Sequence, residues 1–208
     1  MFRPWGPLLP DTIEVIAIQY PGRHDRMTDP FVAELRELAE TIAADLPQDG
    51  RLLFFGHSMG AVLAYELARL VPPHHLFVSA PPSDRSRRDY ADDADLLAAV
   101  RALGGSGVAP LDNPVIQELA LPGIRHDFAM LARYRAAGAG HHMLSCPISV
   151  LAARDDPICP PGSTEVWRHR TSAAFDLQVF PGGHHYLEQQ QNEVLSYVTE
   201  QMTAYALG

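Results

Sequence analysis

A chain of 208 residues in which 47% of side chains are hydrophobic and 20% charged has the make-up of one globular domain with a sizeable core. Its formal net charge of −9, from 16 basic and 25 acidic side chains, argues against a general nucleic-acid binder, whose affinity comes from neutralising phosphates. No apolar run approaches a membrane span, and Met1-Phe2-Arg3-Pro4-Trp5 runs into prolines where a secretory leader would turn apolar, so a cytoplasmic protein is expected.

In chain order, Ile13-Glu14-Val15-Ile16-Ala17-Ile18 is β-branched and apolar enough for a buried strand, ended by Tyr20-Pro21-Gly22-Arg23. Asp29-Pro30 then opens a helix, with the acid as N-cap, and Phe31, Leu35, Leu38, Ile42 and Leu46 recur at helical spacing before Pro47. Arg51 to Phe55 reads as a strand, Ala61 to Leu70 as a helix, and His75 to Ser79 as another strand. Apolar strands alternating with amphipathic helices predict a parallel sheet covered on both faces.

The rhythm then changes. From about Asp84 to Ala137 no strand is convincing, within an insertion over about 84–140, and Asp95 to Leu103, Asn113 to Leu121 and Gly123 to Tyr134 read as short helices. A connection of roughly 50 residues is too long to be plain, so a structured helical lid is expected within a single domain over residues 1–208. The run Gly104-Gly105-Ser106-Gly107 lacks the Gly-Lys-Ser/Thr ending of a phosphate loop and reads as a helix stop. Arg85, Arg87 and Arg88 form the only tight basic cluster and read as a solvated loop. Alternation resumes with the strand Pro147 to Leu151, a helix near Ser163 to Arg170, the strand Phe175 to Phe180 and a last helix from Leu187 to Ala204. Cys146 and Cys159 give neither a disulfide framework nor zinc spacing, and free thiols in a reducing compartment are expected.

Gly56-His57-Ser58-Met59-Gly60 carries the chemistry. It lies between a strand and a helix, the context of a nucleophile elbow, where a sharp turn lifts a serine hydroxyl clear of the strand end. Both glycines are expected to relieve close backbone approach. The Met59 amide opens a helix, has no intrahelical partner, and is the candidate oxyanion donor. A serine needs a histidine to take its proton and an acid to orient that histidine. In an elbow fold they follow in the order Ser, acid, His. The loop Ala153-Arg154-Asp155-Asp156-Pro157 supplies the acid, with Asp156 favoured and Asp155 the fallback. The loop Pro181-Gly182-Gly183-His184-His185 supplies the base, with His184 favoured over His185. The other paired histidines, His74-His75 and His141-His142, lack metal-ligand spacing, so neither a metal nor a cofactor is expected.

The segment Gly56-His57-Ser58-Met59-Gly60-Ala61, followed by Ala64-Tyr65-Glu66-Leu67-Ala68, resembles the type II editing thioesterases of polyketide and nonribosomal peptide synthesis. So do Gln19-Tyr20-Pro21-Gly22-Arg23 with Arg26, His75 to Ser79, Leu96-Leu97 with Leu103-Gly104-Gly105, Leu121-Pro122 with Asp127-Phe128, Asp155-Asp156-Pro157, and Phe180 to His184 with Tyr186-Leu187. The resemblance spans almost the whole chain. It implies an α/β-hydrolase fold with a helical lid, and hydrolysis of acyl thioesters from the phosphopantetheine arm of acyl or peptidyl carrier proteins. It carries the nucleophile onto Ser58, the acid onto Asp156 and the base onto His184. Phe128, Met130, Leu131 and Tyr134 are candidate walls of an acyl chamber, with helix core as the plainer role. A carrier protein is the expected partner of a monomer, without nucleic acid or membrane.

The sequence departs from the family at its start. Family members place a further strand and a His-Ala-Gly-Gly-type loop before the segment resembling Phe2-Arg3-Pro4-Trp5. That N-terminal strand and oxyanion loop are expected to be missing here, and a lost oxyanion donor costs on the order of a hundredfold in rate. Three readings follow: a carrier-directed thioesterase, a carboxylic-ester hydrolase or medium-chain fatty-acyl thioesterase, and a catalytically impaired carrier-binding relative.

Overall fold

The computed structural model describes residues 2–82, 90, 92–138 and 142–206. Arg85, Arg87, Arg88 and His141 lie outside them. Four parallel strands, β1 (Leu53–His57), β2 (His75–Ser79), β3 (Ile148–Ala153) and β4 (Phe175–Phe180), lie side by side in chain order. β2 and β3 are buried along their whole length, as parallel strands covered on both faces must be, while β1 and β4 form the edges.

The pleat divides the sheet residues between two cores. Leu76, Val78, Ile148 and Val150 face helices α1 (Leu35–Asp45) and α2 (Met59–Leu70), together with Trp167. Phe77, Leu151, Ala153 and Phe180 face α5 (Gln191–Ala206), through Val194, Leu195 and Val198, and the 3₁₀ turn of Arg3–Leu8, through Trp5. Trp5 meets Phe2 and Phe55 edge-on, with ring centroids 5.0 and 4.7 Å away. The doubly covered α/β architecture expected from the alternating pattern is present. Between β2 and β3 lies a helical insertion built from α3 (Asp93–Leu103), a 3₁₀ turn (Ala109–Asp112) and α4 (Pro114–Ala136).

Several local expectations are corrected. No strand forms over residues 13–18, and Ile16 and Ile18 are 50% and 44% exposed. A strand exists only through a ladder partner, and among the described residues β1 pairs only with β2. The helix expected from Asp29 begins at Leu35, after Glu34 in an extended conformation. Asp29 is engaged instead by Arg26 Nε at 2.7 Å. The carbonyls of Val32 and Ala33, which a longer helix would need, accept from the His126 and Arg133 side chains of α4. Phe31 stacks on His126 with centroids 4.6 Å apart.

Pro122-Gly123 does not split α4, which runs unbroken for 23 residues. An interior proline costs about 3 kcal/mol in a helix. Here the Asn113 cap, which accepts from the Val115 amide at 2.9 Å, and the burial of Met130, Leu131 and Tyr134 outweigh it. Residues 163–170 form short 3₁₀ turns in place of an α-helix, and α5 starts at Gln191 after a separate 3₁₀ turn at Tyr186–Glu188. Gly104, at φ 73°, ends α3 as a helix stop should. Cys146 and Cys159 are free and buried.

Candidate active site

The C-terminal ends of the parallel strands gather the polar residues. β1 ends at His57, Ser58 turns at φ 55° and ψ −123°, and α2 starts at Met59. This is left-handed backbone for a residue with a side chain, a strain kept at functional turns. The Ser58 amide donates to the Ser79 carbonyl at 2.8 Å, tying the elbow to the end of β2. The glycine requirement falls on one position. A Cβ on Gly56 would stand 2.0 Å from the Gly60 carbonyl oxygen, whereas one on Gly60 would meet only the Tyr20 hydroxyl at 3.5 Å. As the first residue of α2, Met59 has an amide with no helical acceptor of its own.

The loops after β3 and β4 are zipped by backbone bonds beyond the strands. The Arg154 amide donates to the Phe180 carbonyl and the Asp155 amide to the Gly182 carbonyl, each at 2.9 Å. Gly182 takes φ 106°, which lets the histidine loop fold back. Asp155 is left exposed, and the next residue, Asp156, turns inward. Its Oδ2 accepts from His184 Nδ1 at 2.7 Å, and its Oδ1 accepts from the amides of Ile158 and Cys159 at 2.9 and 3.0 Å. His184 Nε2 lies 2.9 Å from Ser58 Oγ. Ser58, His184 and Asp156, successively 126 and 28 residues apart along the chain, therefore form one hydrogen-bonded line.

The electrostatics follow from burial. His184 and Asp156 are 1% and 3% exposed. Burial alone would raise the Asp156 pKa, but the His184 hydrogen bond, its attraction and the two amides outweigh it and hold the carboxyl below its ordinary value. The carboxylate thus remains charged and fixes the proton on Nδ1, leaving Nε2 free to accept.

Sequence reasoning missed a second chain of hydrogen bonds beneath the first. His57 Nδ1 pairs with Ser79 Oγ at 2.9 Å, and Ser79 Oγ pairs with the Tyr186 hydroxyl at 2.8 Å. The His57 ring lies 5.1 Å from that of His184. Burial, followed by the neighbouring His184 and His185, pushes the His57 pKa well below 6.5, so it sits there neutral. The one available signal was position: His57 and Ser79 end their strands, and Tyr186 follows the loop after the last one.

Met130, Leu131 and Tyr134 belong to the core against α1 and α2, and the Tyr134 hydroxyl donates to buried Glu66. Only Phe128 remains half-exposed, edge-on to Tyr90 at 5.1 Å. The insertion is anchored by Arg23, whose guanidinium donates twice to the Asp127 carboxylate at 2.6 and 2.8 Å. His75 is occupied by Ser149 at 2.8 Å. Among the described residues no three His, Cys, Asp or Glu side chains are grouped to hold a metal ion, and no helix is long and apolar enough to cross a membrane.

The fold has known counterparts. The thioesterase domain model matches residues 1–202. Over 204 residues the chain is 36% identical to Thioesterase PikA5 of Streptomyces venezuelae, covering 92% of this chain and 72% of that protein. RedJ, the thioesterase from the prodiginine biosynthetic pathway of Streptomyces coelicolor, superposes with a TM-score of 0.86 at 32% identity, over 95% of this chain and 83% of that one. The type II thioesterase BorB from the borrelidin biosynthetic cluster superposes at 0.78 and 33% identity, over 96% and 85% of the two chains. The chain belongs to the thioesterase domain family, hydrolases that act on thioester bonds.

Proposed function

We propose that this chain hydrolyses acyl thioesters on the phosphopantetheine arm of acyl or peptidyl carrier proteins, an editing activity in polyketide or nonribosomal peptide synthesis. The observation that carries the reading is the unbroken line from Ser58 Oγ through His184 to Asp156 Oδ2, set on an elbow. The names of its relatives, PikA5, RedJ and BorB, support the pathway class.

The chemistry runs in two halves. Ser58 Oγ attacks the acyl carbonyl while its proton passes to His184 Nε2. The Met59 amide donates to the oxyanion. As the tetrahedral intermediate collapses, the carbon–sulfur bond breaks and His184 returns the proton to the departing thiol. A water then gives a proton to the same nitrogen and attacks the acyl-serine. Collapse releases the carboxylic acid, and the proton returns to Ser58 Oγ. Asp156 orients His184 throughout and stabilises its charged form. The insertion serves as the lid over the acyl group. The reading carries with it a cytoplasmic monomer that needs no cofactor.

Ser58→Ala removes the nucleophile and is expected to lower acyl release from a loaded carrier protein by on the order of 10⁴-fold or more. Release is measured by mass spectrometry of the carrier, and retention of full activity refutes the assignment. Faster cleavage of free p-nitrophenyl esters than of acyl-carrier thioesters would point instead to an ester hydrolase.

A further inference from the structure

The insertion touches the histidine loop directly. The backbone amide of Ser106, just past the end of α3, donates to Glu188 Oε2 at 2.8 Å, and the Ser106 hydroxyl donates to Glu188 Oε1 at 2.8 Å. One carboxylate thus takes both donors of one residue, 82 positions away in sequence. Next to it, Gly105, at φ +90°, lies flat against the His185 imidazole: a Cβ there would stand 2.6 Å from Cγ and 2.7 Å from Cδ2. The fit of loop to ring thus depends on the missing side chain.

Glu188 is mechanically connected to His184. The turn between them is a run of short backbone bonds, with the Tyr186 amide donating to the Gly183 carbonyl at 3.0 Å and the Glu188 amide to the His185 carbonyl at 3.1 Å. From inside, the turn is held by Tyr186, through Ser79, to His57. From outside it is held by Ser106. The inner tie is buried, whereas Ser106 and Glu188 are exposed. Buried hydrogen bonds are costly to open, and an exposed charge-assisted pair exchanges readily with water. The two ties therefore differ in permanence.

We propose that Ser106 and Glu188 form a releasable latch by which the insertion, when closed, holds the catalytic histidine loop in register, making Glu188 a positioning residue for His184. This rests on the proposed role of His184 as base. Closing over substrate and aligning the base then become a single event, and an open insertion leaves the base less well held. Small misalignments of a catalytic group are costly in rate even where binding is unchanged.

The test is a double-mutant cycle on the full chain with Ser106→Ala, Glu188→Ala and the pair. It is read by the rate of fluorophosphonate labelling of Ser58 and by kcat and KM for acyl-carrier hydrolysis. Glu188→Ala, which removes both bonds, is expected to lower both the labelling rate and kcat by about tenfold with KM little changed; Ser106→Ala, which keeps the amide bond, is expected to lower them less, and the double variant to lose no more than Glu188→Ala. Ser106→Thr, which keeps hydroxyl and amide, is expected to restore most of the rate. Melting temperatures near wild type show that the variants fold. Losses that multiply, losses confined to KM, or unchanged rates overturn the latch while leaving the triad standing. Wild-type protein that is folded but unreactive toward the probe overturns the catalytic reading and the latch with it.

Discussion

Two glycines flank Ser58 with the same spelling and unequal duties. Gly56 is pressed against the backbone of Gly60, so Gly56→Ala is expected to cost more than about 3 kcal/mol and to leave little folded protein. Gly60 has room, so Gly60→Ala in the first turn of α2 is expected to fold with a near-native melting temperature; thermal melts of the two variants compare them directly. The motif marks both positions alike because the obstacle, a carbonyl in the first turn of the next helix, is not written in the pattern. The choice between Asp155 and Asp156 was hidden for the same reason. Both sit beyond a strand, and what separates them is the bond from the Asp155 amide to Gly182, which comes from a loop that arrives later in the chain.

His75 gives the residue scale its pH dependence. Burial, only partly opposed by Asp176, lowers its pKa from 6.5 to about 4. A histidine whose folded pKa is depressed stabilises the fold above its ordinary value, and that contribution is lost as pH falls through the folded one. Wild-type stability should therefore decline between pH 6.5 and about 4 more steeply than that of His75→Gln, which cannot charge. Urea unfolding midpoints across this range measure the difference, and parallel curves would assign the decline elsewhere.

At the scale of elements, periodicity succeeded where a segment carries its own reason to form. β2 and β4 match their expected residues, because an apolar run in one and apolar–polar alternation in the other, each bounded by turn residues, leave few alternatives. It failed where a neighbour decides. Residues 13–18 have the composition of a strand but no ladder partner among the described residues, and the helical spacing that starts at Phe31 fails where Val32 and Ala33 spend their carbonyls on α4. Pro122 shows the converse, a local breaker overruled by packing at the far end of its helix. Because Pro122 is exposed and only its backbone effect is in play, Pro122→Ala is expected to stabilise the protein by on the order of 1–3 kcal/mol. A rise in melting temperature checks this, and no rise would mean that the chain had already accommodated the proline.

Across the whole molecule, the parallel sheet works as a collecting device. All four strands point the same way, so Ser58 after β1, Ser79 at the end of β2, Asp156 after β3 and His184 after β4 come to one rim. The expected chain order of nucleophile, acid and base is the linear image of that rim. The insertion between β2 and β3 then crosses back to the rim at Ser106, which places the proposed latch where the insertion meets the loop that carries His184.

Read alone, the chain determined its class, the four strands of the sheet, the elbow at Ser58 and the two loops able to answer it, because burial on one face of a helix imprints a period on nearby residues and burial on both faces of a strand leaves a continuous apolar run. The folded arrangement settles which of two aspartates faces the histidine, which glycine is indispensable, and where α1 begins. It alone assembled His57, Ser79 and Tyr186, and brought Ser106 to Glu188. These outcomes depend on hydrogen-bond partners and van der Waals contacts supplied by residues tens of positions away, and a distance of a few ångströms in space leaves no period in a sequence.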